Sequence, residues 1–307
     1  MNLDGLRPWG GLAGGEPAGV VVAGIPYDDS AVYRKGAALA PRSIRHLSAA
    51  MPPVTEEGRL LTGLLVKDIG DLDANRDIES GWVTVAERLA AVPREAFLTV
   101  LGGDHCTAIA TLAAQNRRHP GVSVLWVDAH PDLCDFSRGG RWTCGCALRR
   151  ALEVAGIAPA NVVIAGGRDY DPEELDFIHA NGILLVSTVE LAEDMAGASG
   201  RIAERLAGRM VHVSFDIDVL DPAFAPGTEI PSAGGLSTRQ ALTLLKTATR
   251  GAELVGLDVV EVSPPADREE ITTLAALKLI FEVWGMVKAR SAAAIAEGAS
   301  AQSRPGL

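Results

Sequence analysis

Basic residues are the minority charge: the 307-residue chain has 28 Lys and Arg against 39 Asp and Glu, a formal net charge of −11. That makes it a poor candidate for general phosphate-backbone binding, which depends on Lys and Arg, and no nucleic-acid partner is expected. The negative field favours a cationic one. No apolar stretch is long enough to cross a bilayer, so no membrane partner is expected. The start, Met1 to Gly15, has no basic stretch leading into an apolar run, so no secretory leader is expected. There are only four cysteines, Cys106, Cys134, Cys144 and Cys146, and their spacing matches no zinc ribbon. Cys144 and Cys146 are one glycine apart, a poor geometry for a disulfide. Free thiols in a reducing compartment are the simplest account, and a cytoplasmic location follows.

What is present is apolar material for one sizeable core, at 48% hydrophobic residues. No composition break marks a domain boundary. The reading is one domain over residues 1–290 and a frayed, Ala/Ser/Gly-rich tail over 291–307. Short apolar runs recur at Val20 to Ala23, Leu64 to Val66, Phe97 to Leu101, Val122 to Val127, Val162 to Ala165, Ile183 to Val186, Val211 to Phe215 and Leu254 to Val260. Several are apolar on both parities, as strands buried on both faces are. Helix-like segments lie between them, at Val83 to Ala91, Thr107 to Asn116, Ala147 to Ala155, Thr238 to Thr249 and Ile271 to Lys288. Alternating strands and helices imply a parallel sheet with helices on both sides. In such sheets ligands bind outside the carboxyl ends of the strands.

Three polar clusters fall at those ends: Gly102-Gly103-Asp104-His105, Asp128-Ala129-His130-Pro131-Asp132 and Asp216-Ile217-Asp218. Residues two apart on a strand share a face, so Asp128 can point with His130 and Asp216 with Asp218. Four carboxylates in one cleft would repel one another strongly. Two dications would balance them, with His105 and His130 as neutral imidazole donors. Oxygen-rich coordination with some imidazole suits Mn²⁺ better than a thiolate-type zinc site. A lone Asp after a strand is ordinarily a helix cap, and Asp104 fits that reading. Capping does not call for a His between two Asp at alternating positions.

These segments resemble the metal motifs of the ureohydrolases, the arginase and agmatinase family. The likeness runs on through Ser214 to Pro222, through Ala223 to Thr228, and through Asp258-Val259-Val260-Glu261 with Ser263-Pro264-Pro265 and Glu270-Ile271-Thr272. Gly24 to Asp28 and Ala40 to Arg45 are similar to the family's amino-terminal block. The resemblance implies a three-layer α/β/α fold around an eight-stranded, mainly parallel sheet. It implies two Mn²⁺ ions (or another dication such as Ni²⁺) on His105, Asp128, His130, Asp132, Asp216 and Asp218. Asp132 would act on the proton of a metal-bridging hydroxide, and Glu261 would pair with the guanidinium of the substrate, which is split to urea and an amine. Trimers or hexamers are implied as well.

The sequence departs from the family at several places. Thr143-Cys144-Gly145-Cys146 stands where a His-Gly pair is usual, and no histidine occurs between residues 131 and 178. Cys144 is either a pocket-lining thiol or a replacement for that histidine. Glu229-Ile230 replaces a usual Gly-Thr, which puts an acid either beside the substrate or on a loop surface. Arg168-Asp169-Tyr170-Asp171-Pro172-Glu173-Glu174 resembles the loop by which arginases grip an α-amino group, with Asp171 and Glu174 as the gripping residues, but its Asp-Pro-Glu-Glu reads first as an ordinary helix start. His212 reads as a core or interface histidine and Trp126 as strand core. The leading expectation is hydrolysis of a small cationic guanidino compound. The alternatives are another amidine, such as a formimino or substituted guanidine compound, and a silent relative that binds a partner.

Overall fold

A computed structural model describes residues 7–12, 14–74 and 78–302. Its eight strands are β1 (Val20–Gly24), β2 (Val66–Asp71), β3 (Phe97–Leu101), β4 (Ser123–Val127), β5 (Val162–Gly167), β6 (Leu184–Ser187), β7 (Met210–Asp216) and β8 (Glu253–Val260). They form one sheet in the order β2-β1-β3-β8-β7-β4-β5-β6, parallel at every pairing. This is the three-layer α/β/α architecture, parallel throughout rather than mainly so.

Alternate side chains along each buried strand supply two separate cores, because successive residues point to opposite faces. Leu125 and Val127 join one core, and Val124 and Trp126 the other. The second core is completed by α2 (Ile78–Ala90), α3 (Thr107–Arg118), α4 (Ala147–Ala155) and α5 (Pro172–Asn181). The first is completed by α1 (Ala40–Ser48), α6 (Thr188–Glu193), α7 (Met195–Leu206), α8 (Thr238–Ala248) and α9 (Ile271–Gln302). The run expected at Leu64 to Val66 lies before its strand: β2 is an edge strand with mostly exposed side chains, so no apolar run marks it. Helix α9 continues to Gln302, into the segment whose composition suggested a frayed tail. Residues 303–307 lie outside the described residues. Among those described, no helix is long and apolar enough to cross a membrane.

The three strands that carry the polar clusters, β3, β7 and β4, lie together with β8, which carries Asp258 and leads to Glu261, in the consecutive order β3-β8-β7-β4. Segments far apart in sequence therefore end side by side at one edge.

Candidate metal centre and active site

The turn after β3 needs its two glycines. A Cβ at Gly103 would stand 1.7 Å from the Tyr27 carbonyl oxygen, so only glycine lets the chain pass under that loop. The turn is fixed by Asp104, which takes hydrogen bonds from the Ser30 hydroxyl (2.6 Å), the Ser30 N–H (3.1 Å) and the Cys106 N–H (3.1 Å). Asp104 thus shapes the loop rather than capping α3 directly, and His105 follows it into the cleft.

The six expected ligands come together and are almost fully buried except His130. Around His105 Nδ1 stand Asp128 Oδ2 at 2.9 Å, Asp216 Oδ2 at 3.0 Å and Asp132 Oδ2 at 3.4 Å. Around His130 Nδ1 stand Asp218 Oδ2 at 3.1 Å and Asp128 Oδ1 at 3.5 Å. Two ligand groups result, His105–Asp128–Asp216 and Asp128–His130–Asp218, and Asp128 belongs to both. Asp216 and Asp218, expected to point together, serve different groups.

The tautomer of His105 is set by a buried chain of hydrogen bonds. Ser214 Oγ donates to Asp258 Oδ1 (2.5 Å), so its contact with His105 Nε2 (2.9 Å) must be one that it accepts. Nε2 then carries the proton, and Nδ1 turns a lone pair toward the carboxylates. Consistent with this, His105 Nδ1 and Asp128 Oδ2 are buried without a hydrogen-bond partner. A lone pair facing carboxylate oxygens at 3 Å is repulsive unless a cation lies between them. The donor set therefore fits a pair of dications. The chain continues behind the site: Asp258 Oδ2 takes a bond from His212 Nε2 (2.8 Å), whose Nδ1 meets Gln115 Nε2 (3.0 Å). Gly256 leaves the room for that pair, since a Cβ there would lie 2.6 Å from His212 Nδ1. His212 is thus not an idle core residue. Trp126 lies flat against His105, ring centroids 3.8 Å apart and planes within 4°. Groups of this kind orient metal ligands. Sequence alone did not expose the chain, because Ser214 and Asp258 meet only through the β7–β8 register.

The acids compete for protons when no cation balances them. Burial pulls His105 down, but the close approach of Asp128 and the charges of Asp128 and Asp132 favour its protonated form and raise it to about 9. Burial, then the charge of Asp128, raises Asp132. Burial, then the charges of Asp218 and Asp128, raises Asp216. Asp128 goes the other way: burial opposes it, but contacts with His105 and His130 hold it low.

A cavity of about 320 Å³ opens over these groups. Its wall includes Asp132, Asp216, Asp218, Cys144, Asp171, Glu174, Glu229 and Glu261. Asp132 (φ 54°), Arg138 (φ 46°) and Glu261 (φ 63°), all on this wall, hold left-handed backbone that non-glycine residues rarely adopt. Such conformations cost about 1–3 kcal/mol each and cluster at functional sites. Glu261 Oε1 accepts the His105 N–H at 2.8 Å, while Oε2 is buried with no partner. Cys144 is a buried free thiol on the wall, and burial, then the charges of Glu261 and Glu229, push it well above its ordinary range. It stays protonated. Glu174 is engaged by backbone on both oxygens, from Leu133 (2.8 Å) and Asp171 (2.8 Å), the second bond being part of a capping box on α5. Asp171 sits exposed at the mouth near Cys134 (3.4 Å). Arg138, Asp169 and Tyr170 also line the mouth; no spacing signal in the sequence singles them out.

Acids and imidazoles gathered at the carboxyl edge of a parallel α/β sheet, under a cavity walled by further acids, form a candidate metal-binding active site. The sequence profile of the arginase family matches residues 18–285. Proclavaminate amidinohydrolase of Streptomyces clavuligerus is 37% identical over 86% of this chain and 86% of its own length. Guanidinopropionase of Pseudomonas aeruginosa is 36% identical over 87% of each chain. The solved structure of the Streptomyces enzyme superposes with a TM-score of 0.81 at 34% identity, covering 92% of this chain and 97% of the other. The chain belongs to the arginase family, the ureohydrolases.

Proposed function

We propose that this protein hydrolyses a guanidino compound to urea and an amine at a dinuclear centre, with manganese as the resident metal. The observation that carries the reading is the shared carboxylate of Asp128 between two histidine-containing groups, with His105 Nδ1 presenting a lone pair to both Asp128 and Asp216. The names of the relatives, guanidinopropionase among them, support a guanidino substrate. His105, Asp128, Asp132 and Asp216 would hold one ion, and Asp128, His130 and Asp218 the other. When bound, the two ions would lower the pKa of a water between them and supply hydroxide near neutral pH.

The chain's own groups do the rest. Glu261 Oε2, buried and unpartnered, accepts charge-assisted hydrogen bonds from the guanidinium and holds its carbon over the metal groups. Asp132 takes the proton released by the attacking water and passes it to the departing nitrogen, which leaves as a neutral amine. The Cys144 thiol lines the pocket, keeps its proton and takes no part in proton transfer. The ligand set is complete, which supports catalysis over a silent, partner-binding role.

The test is Glu261→Gln assayed by urea release over a panel of guanidino compounds. The amide keeps an oxygen for the His105 N–H, so folding and metal content should be unchanged. Loss of a desolvated charge pair is worth about 2–5 kcal/mol, so turnover should fall by about 30-fold or more. A variant with the activity of the parent would remove Glu261 from the reaction.

A further inference from the structure

Glu229 stands apart from the metal groups. Thr228 pairs with Val262 in an antiparallel bridge, and the Ser263 N–H reaches the Gly227 carbonyl at 2.8 Å. Glu229 follows that bridge and Glu261 precedes it, so the two acids enter the cavity from paired segments. Both acids are buried, at 1% and 4% exposure, and both line the cavity. They are built alike. Each has one oxygen fixed by backbone: Glu229 Oε1 takes the N–H of Val32 and of Tyr33, and Glu261 Oε1 takes that of His105. Each has its other oxygen, Oε2, buried with no partner. The cation at the mouth, Arg138, is exposed and makes no hydrogen bond to either free oxygen. Two unpartnered carboxylate oxygens on the wall of one cavity, beside a candidate metal centre, are complementary to one planar cation with donors on more than one edge.

We propose that Glu229 is a second guanidinium-binding carboxylate, and that with Glu261 it restricts the substrate to guanidines with at most one substituent. The proposal rests on the reading above. Its chemistry follows from counting N–H edges. A guanidinium with one substituent on one nitrogen presents two edges on which neighbouring nitrogens both offer an N–H. A second substituent on that nitrogen leaves one such edge. An N-formimino compound has two nitrogens and also offers one. A single acceptor accommodates all three classes, whereas two acceptors on separate edges set one buried carboxylate oxygen against a methyl group or a C–H in the last two. A site built to hydrogen-bond a group rejects the analogue that lacks it far more strongly than a merely apolar site does. Glu229 thus selects against the formimino and N,N-disubstituted alternatives.

The experiment uses matched pairs that differ by one N–H: methylguanidine with N,N-dimethylguanidine, and 3-guanidinopropionate with its homologue methylated on the substituted nitrogen. Urea release and calorimetric binding are measured on the metal-loaded protein, on Glu229→Gln and on Glu229→Gly, with metal content checked for each. The expected result is a preference for the singly substituted member of about 10²-fold that shrinks below about tenfold in both variants. Equal handling of the pair by the parent protein overturns the clamp. So does a parent preference that survives in both variants, or a loss of both members in equal proportion. If no compound releases urea, the function proposed above fails. The clamp is then still decided by binding, which must favour the singly substituted cation in the parent and lose that preference in the variants.

Discussion

Ser214→Ala tests whether the buried chain behind His105 sets its metal-binding form. The Ser214 hydroxyl accepts from His105 Nε2 at 2.9 Å and donates to Asp258 Oδ1 at 2.5 Å. Its removal leaves the Nε2 proton without a partner on a ring that is 1% exposed. A buried donor left unsatisfied costs about 1–3 kcal/mol, and the imidazole can shed that cost by moving its proton to Nδ1, where it blocks metal. Loss of such a partner commonly weakens metal binding by about 10- to 100-fold, or about 1.4–2.8 kcal/mol. The weakening should be selective. His130 reaches Asp218 at 3.1 Å and Asp128 at 3.5 Å without involving Ser214, so the ion in its group should change little. Stepwise manganese titration against a chromophoric chelator resolves two affinities. Equal weakening of both ions, or of neither, would refute the role assigned to Ser214.

Two further outcomes are expected. Cys144→Ser should keep turnover close to that of the parent, because burial and the charges of Glu261 and Glu229 already hold the thiol protonated; a loss of about 10²-fold or more in kcat would mean that the sulfur takes part in proton transfer. In the metal-free protein, His105 is raised from 6.5 to about 9, so its contribution to stability is complete below about pH 6.5 and is lost as pH rises through about 9. A metal ion competes with the same proton, so manganese affinity should climb over that interval while the Tm of the chelated protein falls. A flat affinity, or a chelated Tm that rises across the window, contradicts this.

The sequence exposed what is local. Phe97–Leu101 and Ala147–Ala155 read correctly because a glycine pair ends the first and Gly156 stops the second. The six candidate ligand positions were legible because each directly follows a buried run or the turn after it. Edge strand β2 was misplaced because an exposed strand needs no apolar run, and α7 was missed because its face is built partly from Ala and Ser. Strand adjacency was not legible at all. Nothing in the order of the chain says that β8 lies between β3 and β7. That placement alone creates the bond from Ser214 to Asp258. The entry of Glu229 into the cavity that Glu261 lines likewise depends on a loop pairing with the segment after β8. Asp171 and Glu174 show the reverse case. Their spacing fits both a substrate grip and a helix start, with the helix start favoured, and Glu174 has both oxygens on backbone as part of the α5 capping box.

The central claim is that Asp128 joins two metal groups into one catalytic centre. Metal content per chain should be measured for the parent and for Asp128→Asn after manganese loading and gel filtration, alongside urea release from the best compound in the panel. The account predicts two ions per parent chain, fewer than one in the variant because both groups lose a ligand, and urea release that stops in the variant and on chelation of the parent. A variant that retains two ions, or a chelated parent that still releases urea, would contradict it.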